Sequence, residues 1–585
     1  MAARQSSDPS AAAGGVLLTL AASQFLMTLD SSVMNVSMTQ VAHDVGTSIT
    51  GIQTAITLYA LVMAAFMVIG GKLGGIIGRR RAFEIGCVVY GVGSLVTGLS
   101  TSLPVLILGW SVLEGLGAVL ILPAVVALIA VNFAPAQRPS AYGLMAAVGA
   151  VAIAVGPLLG GAATTYLSWR WVFFSEVVIV AVILVLSRKI KDTAARSTAR
   201  LDVLGAALCA TGLGVTVFGV LRSSDWGWLT ARPGAPSLLG TSLTFWFIIG
   251  GLVTLWCFLL WEKHLAAAGR EPLIRISMLQ NTVLRSGLTL FGFQFLVQAG
   301  VFFVVPLFLS VVLELPALET GMRVLPLSLS LLVAALGIPR LWPHVSPRRA
   351  VRIGIALMLV GILLLRSGID LDAVPAVVAL PMVFMGLGIG TLASQLGAVM
   401  VSSVDEELSG DVGGLQNTAT NLGSSVGTAL AGSILIAALS SSFLAGITQN
   451  PDVPDSVKQA AHVELSTGAS FVSDAQLSTA LADAGVSPTL QATIVEQNRA
   501  SRIDGLHVAL GVLSLVAVLA LFFTGGIPTR QPQDQQPAEG PSDGPSGGSP
   551  PDEPSDEPQS EETEPNEKAT GGQSPAARAA SNPSP

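Results

Sequence analysis

Fourteen stretches of this chain are apolar over the length a bilayer demands, about 20 residues. They run over 14–36, 50–70, 82–101, 104–131, 140–162, 169–187, 201–221, 237–261, 286–310, 319–339, 351–367, 373–400, 414–443 and 504–524. A chain with this repetition folds in lipid as a set of helices, because only a helix satisfies its own backbone in hydrocarbon. The expected class is therefore an all-α polytopic membrane protein. Composition agrees: 11% of residues are charged and the mean hydropathy is +0.67, against about 25% charged residues in a soluble domain.

The fifth stretch contains AVGAVAIAVGPLLGG from Ala147, with Gly149, Gly156, Pro157, Gly160 and Gly161 in one span. Glycine and interior proline cost about 1 and about 3 kcal/mol in a helix. In lipid they are tolerated where glycines allow backbones to approach and neighbours re-satisfy the freed carbonyl. Such a helix suits a place where two bundles meet and part.

Charge orients the spans. With both termini and the loops after even-numbered spans on one face, that face holds 22 of the 30 Lys and Arg. The positive-inside rule makes it the cytoplasmic face. The first apolar run lacks a preceding basic cluster and a cleavage site, so it reads as a retained helix. Residues 1–13 form a cytoplasmic N-terminus. Residues 14–187 form a first six-helix bundle, and 188–285 a linker with inserted helices 7 and 8. Residues 286–524 form a second bundle, which includes an extracellular loop at 444–503, and 525–585 a cytoplasmic tail. From Gln531 onward the chain has 11 acidic and 2 basic residues and is rich in Pro, Gly and Ser, a composition that stays disordered. No partner is identified for it. The net charge of -7 resides in this tail, since residues 1–530 carry 26 acidic and 28 basic residues; no nucleic-acid partner is expected, and the five His and three Cys are too scattered for a metal site. No nucleophile arrangement or cofactor loop is present, so an enzyme is not expected.

Charges inside spans are costly and mark pathways or pairs. Asp30, Glu114 and Glu176 are lone acids among apolar residues of spans 1, 4 and 6. A carboxyl that is neutral when enclosed and charged when wet carries protons. These acids are candidates for proton coupling or cation binding, with pairing of Asp30 or Glu176 to Arg170 as the structural alternative. Arg323 is the other membrane charge. In span 9, Gln294 and Gln298 lie one helical turn apart near Phe291 and Phe295. Sparse polar groups with aromatic walls suit an amphipathic substrate. Trp169 and Trp171 are expected at a membrane interface, and Asp202 as a helix cap.

Several motifs together resemble the major facilitator superfamily, specifically its fourteen-helix drug:proton antiporter branch. LDSSVMNVSM holds Asp30 and Asn35 in span 1. Gly71, Leu73, Gly78, Arg79 and Arg80 match the loop 2/3 motif. Gly156, Pro157, Gly160 and Gly161 match the span 5 antiporter motif, and Trp169, Arg170, Trp171 and Phe173 the start of span 6. The resemblance spans about 14–524. It departs from the family pattern at Gly75, where an acid is usual, at Ser111 and Glu114, where arginine and glutamine are usual, and at Glu176 and Val178, where asparagine and proline are usual. It implies two pseudo-symmetric six-helix bundles plus two helices, and alternating access without a cofactor, driven by the proton gradient. Cargo would be an amphipathic, including cationic, organic compound leaving across a bacterial cytoplasmic membrane. It further implies an inner gate at Gly71, Gly78, Arg79 and Arg80, span 5 glycines near the interface between halves, and a monomer. A dedicated exporter of one endogenous metabolite or lipid is the alternative; a non-transport role is a third.

Overall fold

A computed structural model describes residues 9–47, 49–191, 201–232, 234–315, 317–371, 373–405, 408–450, 454, 474–483 and 486–530. The expectations for residues 1–8, for most of 451–473 and for the tail beyond 530 lie outside these residues. Long helices occupy each expected span position: α1 (Pro9–Asp44), α2 (Ile49–Ile77), α3 (Arg79–Gly98), α4 (Leu103–Asn132), α5 (Arg138–Tyr166), α6 (Arg170–Ser187), α7 (Val203–Trp226), α8 (Leu243–Ala267), α9 (Thr282–Val312), α10 (Ala317–Leu341), α11 (Pro347–Gly368), α12 (Pro375–Ser402), α13 (Ser409–Gln449) and α14 (Pro488–Phe522). Twelve of them, all but α3 and α5, are long and apolar enough to cross a membrane by length and composition. A two-stranded hairpin, Ser237–Leu238 with Thr241–Ser242, precedes α8.

Among the early helices α1 packs on α5, and α3 on α4 and α6. Among the late ones α10 packs on α12, α9 on α13, α11 on α12, and α13 on α14. The two sets meet along α2–α13, α4–α13, α5–α10 and α5–α12, while α7 pairs with α8 and lies against both α2 and α13.

Glycine makes the α2–α13 seam. A Cβ at Gly71 would lie 2.6 Å from the Gly410 carbonyl oxygen, and one at Gly414 would lie 3.1 Å from that of Met67. Gly143 makes the equivalent approach on α5, where a Cβ would stand 2.5 Å from the Ala335 oxygen of α10. Backbones in lipid close on one another through such positions. The antiporter-motif glycines are used differently from the expectation. Gly156 and Gly160 face Ser32 and Val33 of α1, and Gly149 lies near Gln24 and Thr28 of the same helix. Gly161 has nothing within 4 Å, and the helix is continuous through residue 157. The close contact between α5 and the later helices comes a turn and more earlier, at Gly143.

The segment 444–503 is not all loop. Helix α13 runs for 41 residues and α14 for 35, so both outlast a bilayer. Their ends share a small core, Ile447 and Ile494 with Phe443, Leu477, Leu481 and Leu490. A short helix, Asp474–Asp483, is pinned there by Asp474, which pairs with Arg499 and Arg502. Arg502 is 1% exposed and also donates to the Val311 carbonyl at the end of α9, 3.2 Å.

Gly71→Val is expected to prop α2 away from α13, at about 1–3 kcal/mol for the overpacking. A lowered thermal midpoint in detergent, with faster alkylation of a cysteine placed at Leu415, checks this; unchanged values of both would refute it.

Candidate functional site

The three lone acids converge. Carboxylate oxygens of Asp30, Glu114 and Glu176 lie within 4.8 Å of one another, and the residues are 0%, 0% and 1% exposed. Local sequence explains the approach. Helix α4 opens after Ser102 and widens into a π-helical stretch over Ile107–Glu114, a distortion frequent at functional sites. That stretch carries both Trp110 and Glu114. Gly93 of α3 leaves the space that Glu114 fills, with a Cβ there only 2.6 Å from Glu114 Cγ, and Gly109 leaves room for the Thr97 backbone at 2.7 Å.

Each acid has neutral donors. Trp110 Nε1 donates to both Asp30 oxygens, at 3.0 and 2.9 Å, and its ring stacks on Tyr59 with centroids 5.0 Å apart. Thr97 Oγ1 donates to Glu114 Oε1, 3.1 Å, and Ser94 Oγ to Glu176 Oε2, 2.9 Å. The second oxygens, Glu114 Oε2 and Glu176 Oε1, are buried with no hydrogen-bond partner. An apolar plug of Met34, Tyr59, Trp110, Trp169 and Phe173 packs beside the cluster. Two ionised carboxylates at 4.8 Å repel by about 3.5 kcal/mol even at an effective dielectric of about 20. Three carboxylates at this spacing therefore oppose one another when charged.

Arg170 does not serve these acids. Its guanidinium pairs with Asp44 at 3.2 Å, caps the Ser100 carbonyl at 2.9 Å and lies 4.5 Å from the Trp169 ring. Trp169 is fully buried, with Nε1 donating to Asp44 Oδ2 at 2.9 Å, so it is a packing residue; Trp171 is the exposed one, at 59%.

Gln294 and Gln298 sit apart from the acids. Gln294 lines a cavity of about 10 Å³ with Phe293, Ile355, Met358, Leu392 and Ala517, room for one water molecule and not for an organic substrate. Its Oε1 atom, like that of Gln298, is buried without a hydrogen-bond partner. Phe291 and Phe295 pair with each other, centroids 5.3 Å apart, and are not among the residues lining that cavity. Arg323 is half-buried on α10.

At the end of α2, Gly78 holds φ +101°, a left-handed conformation suited to glycine, and turns the chain into α3. Arg79 is 3% exposed. Arg80 is bound within the early helices, to Glu84 at 2.8 Å and to the Ile190 carbonyl at 3.5 Å. Across the seam, Asp411 in the first turn of α13 lies in the field of Lys72, Arg275 and Arg79. The sequence reading missed Asp411 because its polar surroundings place it before the apolar part of span 13. It also missed Trp110, Tyr59, Ser94 and Thr97, whose roles depend on which helices meet.

A buried acid cluster within a sheaf of apolar helices that packs as an early and a late set defines a multi-pass membrane transporter. Residues 20–428 match the Major Facilitator Superfamily, and the chain belongs to it. It is 27% identical over 533 residues to a tetracenomycin C resistance and export protein of Streptomyces glaucescens, covering 89% of this chain and 93% of that one. A puromycin resistance protein of Streptomyces alboniger is 29% identical over 419 residues, 71% of this chain and 80% of that one. The human organic anion transporter MFSD10 (TETRAN) shares the fold, with a TM-score of 0.51 at 14% identity over 88% of this chain and 98% of that one. The protein is accordingly a transporter related to bacterial drug and metabolite exporters, and not an enzyme. Its bacterial relatives support placement in an inner membrane.

Two measurements test this site. Trp110→Phe keeps the stack on Tyr59 and removes the N–H; a loss of about 1–3 kcal/mol is expected. It should shrink in an Asp30→Asn background, a coupling that a double-mutant cycle reads. Asp44 lies beyond the apolar part of α1. Burial pushes its carboxyl upward, but hydrogen bonds from Gln40, Trp169 and His43 and the Arg170 charge outweigh this and hold it below its ordinary value. Its contribution is then complete above the unfolded value of about 3.9 and lost as pH falls through the lowered one. Thermal unfolding of Asp44→Asn should lack that acid-side decline.

Proposed function

We propose that this protein is a proton-coupled exporter of amphipathic organic compounds, cations among them, of the fourteen-helix drug:proton antiporter branch. The observation that carries the reading is the Asp30–Glu114–Glu176 cluster: three buried carboxyls within 4.8 Å, two of their oxygens without partners. In this reading the enclosed cluster is protonated, and hydration lets it release protons. A cationic substrate and protons compete for the same acids, so that one leaves as the other arrives, and the difference in their affinity for the two conformations drives export.

In the same reading α1–α6 and α9–α14 are two bundles that rock about the cluster, with α7 and α8 between them. The packing of early helices with early and late with late supports this, as does the glycine seam. Both termini are cytoplasmic. Gly71, Gly78, Arg79 and Arg80 form the inner gate, now joined by Asp411. Gly149, Gly156 and Gly160 shape the α1–α5 contact, and Pro157 and Gly161 complete the motif on the same helix. Phe291, Phe295, Gln294 and Gln298 are the proposed substrate wall, reached when α9 moves relative to α13; Arg323 is a further charge within the membrane. A dedicated proton-linked exporter of one endogenous metabolite or lipid is the second reading; the relative named for export of tetracenomycin C favours it.

Everted vesicles with an imposed pH gradient and a panel of organic cations, neutral compounds and lipids test both. Gradient-driven uptake is expected, reduced by about tenfold or more in Asp30→Asn, Glu114→Gln and Glu176→Gln. Full activity in the first two variants would remove the acids from the mechanism. Uptake of a single compound alone would favour the dedicated exporter.

A further inference from the structure

A second acid pair stands where α7 and α8 begin and end. Asp202 caps α7, its Oδ2 accepting from Gly205 N at 3.0 Å and from Trp261 Nε1 at 2.8 Å. Glu262, on the last turns of α8, is 0% exposed. Its Oε2 accepts from the Ile274 amide at 3.0 Å, while Oε1 is buried without a hydrogen-bond partner. The glycine at 205 brings the acids together: a Cβ there would collide with both Asp202 Oδ2 and Glu262 Oε1. The groups that face Glu262 are Asp202 and Cys209 from α7 and the amides of Leu273 and Ile274 from the linker after α8. Val68 and Ile69 of α2 and Leu415 and Leu422 of α13 pack in the same apolar cluster as Cys209.

The linker held by Glu262 reaches the seam. Leu273 and Ile274, 1% and 4% exposed, pack in one apolar cluster with Val68 and Ile69 of α2, Phe258 of α8 and Leu415 of α13. The next residue, Arg275, contributes to the charge around Asp411. One carboxylate therefore anchors a peptide wedged where early helices, late helices and the inserted pair all meet.

We infer that Asp202 and Glu262 form a second proton-binding site, separate from the Asp30 cluster, that latches the 268–275 linker onto the α2–α13 seam. When the pair holds a proton, Glu262 Oε1–H donates to Asp202 Oδ2, and Oε2 keeps the Ile274 amide. When the proton leaves, two carboxylates confront one another. Glu262 withdraws, the Ile274 amide loses its acceptor, and Leu273 and Ile274 loosen from the seam. The inserted helices thereby acquire a role: they report the pH of the face bearing Arg79 and Arg80 to the contact between early and late helices.

Hydrogen–deuterium exchange of the 268–276 peptide in the full chain, corrected for intrinsic exchange, tests this at about pH 6 and about pH 9. Protection in the unaltered protein should fall by about tenfold or more at the higher pH. Glu262→Gln, whose amide can donate to Asp202 and accept from Ile274, should hold the linker protected at both. Asp30→Asn with Glu114→Gln should retain the full pH step, which separates this site from the proposed coupling cluster. Equal protection of the unaltered protein at both pH values, or an unchanged step in Glu262→Gln, would overturn the inference.

Discussion

An acid taken into lipid without a base beside it is costly as a charge and is favoured in its neutral form. That constraint shapes the region around Asp30, Glu114 and Glu176. Among the described residues the donors to these acids are neutral: an indole N–H, a threonine and a serine hydroxyl. These can stabilise a carboxyl in either state but cannot balance three charges. Everything local serves the convergence. Gly93 and Gly109 bring α3 against α4, the π-helical stretch turns Trp110 and Glu114 toward α1, and Tyr59 backs the indole. Loss of any of these would disturb the convergence of the three acids.

The second organising device is the seam. In hydrocarbon no hydrophobic driving force holds two helices together, so contact depends on close packing. Gly71 against Gly410, Gly414 against Met67 and Gly143 against Ala335 achieve that with backbone on backbone. Around these backbone contacts larger side chains also pack, among them Val68, Ile69, Leu273, Ile274 and Leu415. The polar supplement lies at one edge, where Asp411 faces Lys72, Arg79 and Arg275.

What could be read from the sequence follows from physics that acts locally. Apolar length marked each helix position, and the rarity of acids in lipid singled out Asp30, Glu114 and Glu176, which the fold then gathers. What could not be read depends on meetings between distant segments. Arg170 finds Asp44 because α1 runs past its apolar stretch, a continuation that polar residues concealed. Trp169 looked like an interface anchor, yet the same Asp44 draws it inward. The polar residues Ser409–Gln416 and the serines near 440 hid the true length of α13, because hydropathy measures lipid contact and not helicity. Gln294 was visible as a polar residue in span 9, but its partners in α11, α12 and α14 were not, and those decide that it faces a single-water void.

The length of α13 and α14 carries a mechanical implication. At 1.5 Å per residue, the 41 residues of α13 extend about 60 Å, roughly twice the hydrocarbon thickness. A rigid rod of that reach amplifies rotation. A small swing about its middle becomes a displacement at the Ile447 tip about double that at the membrane surface. The clasp of Asp474 onto Arg499 and Arg502 joins two such rods into a mast, well placed for a spin label or a bound antibody fragment to register angular motion too slight to detect in the bilayer.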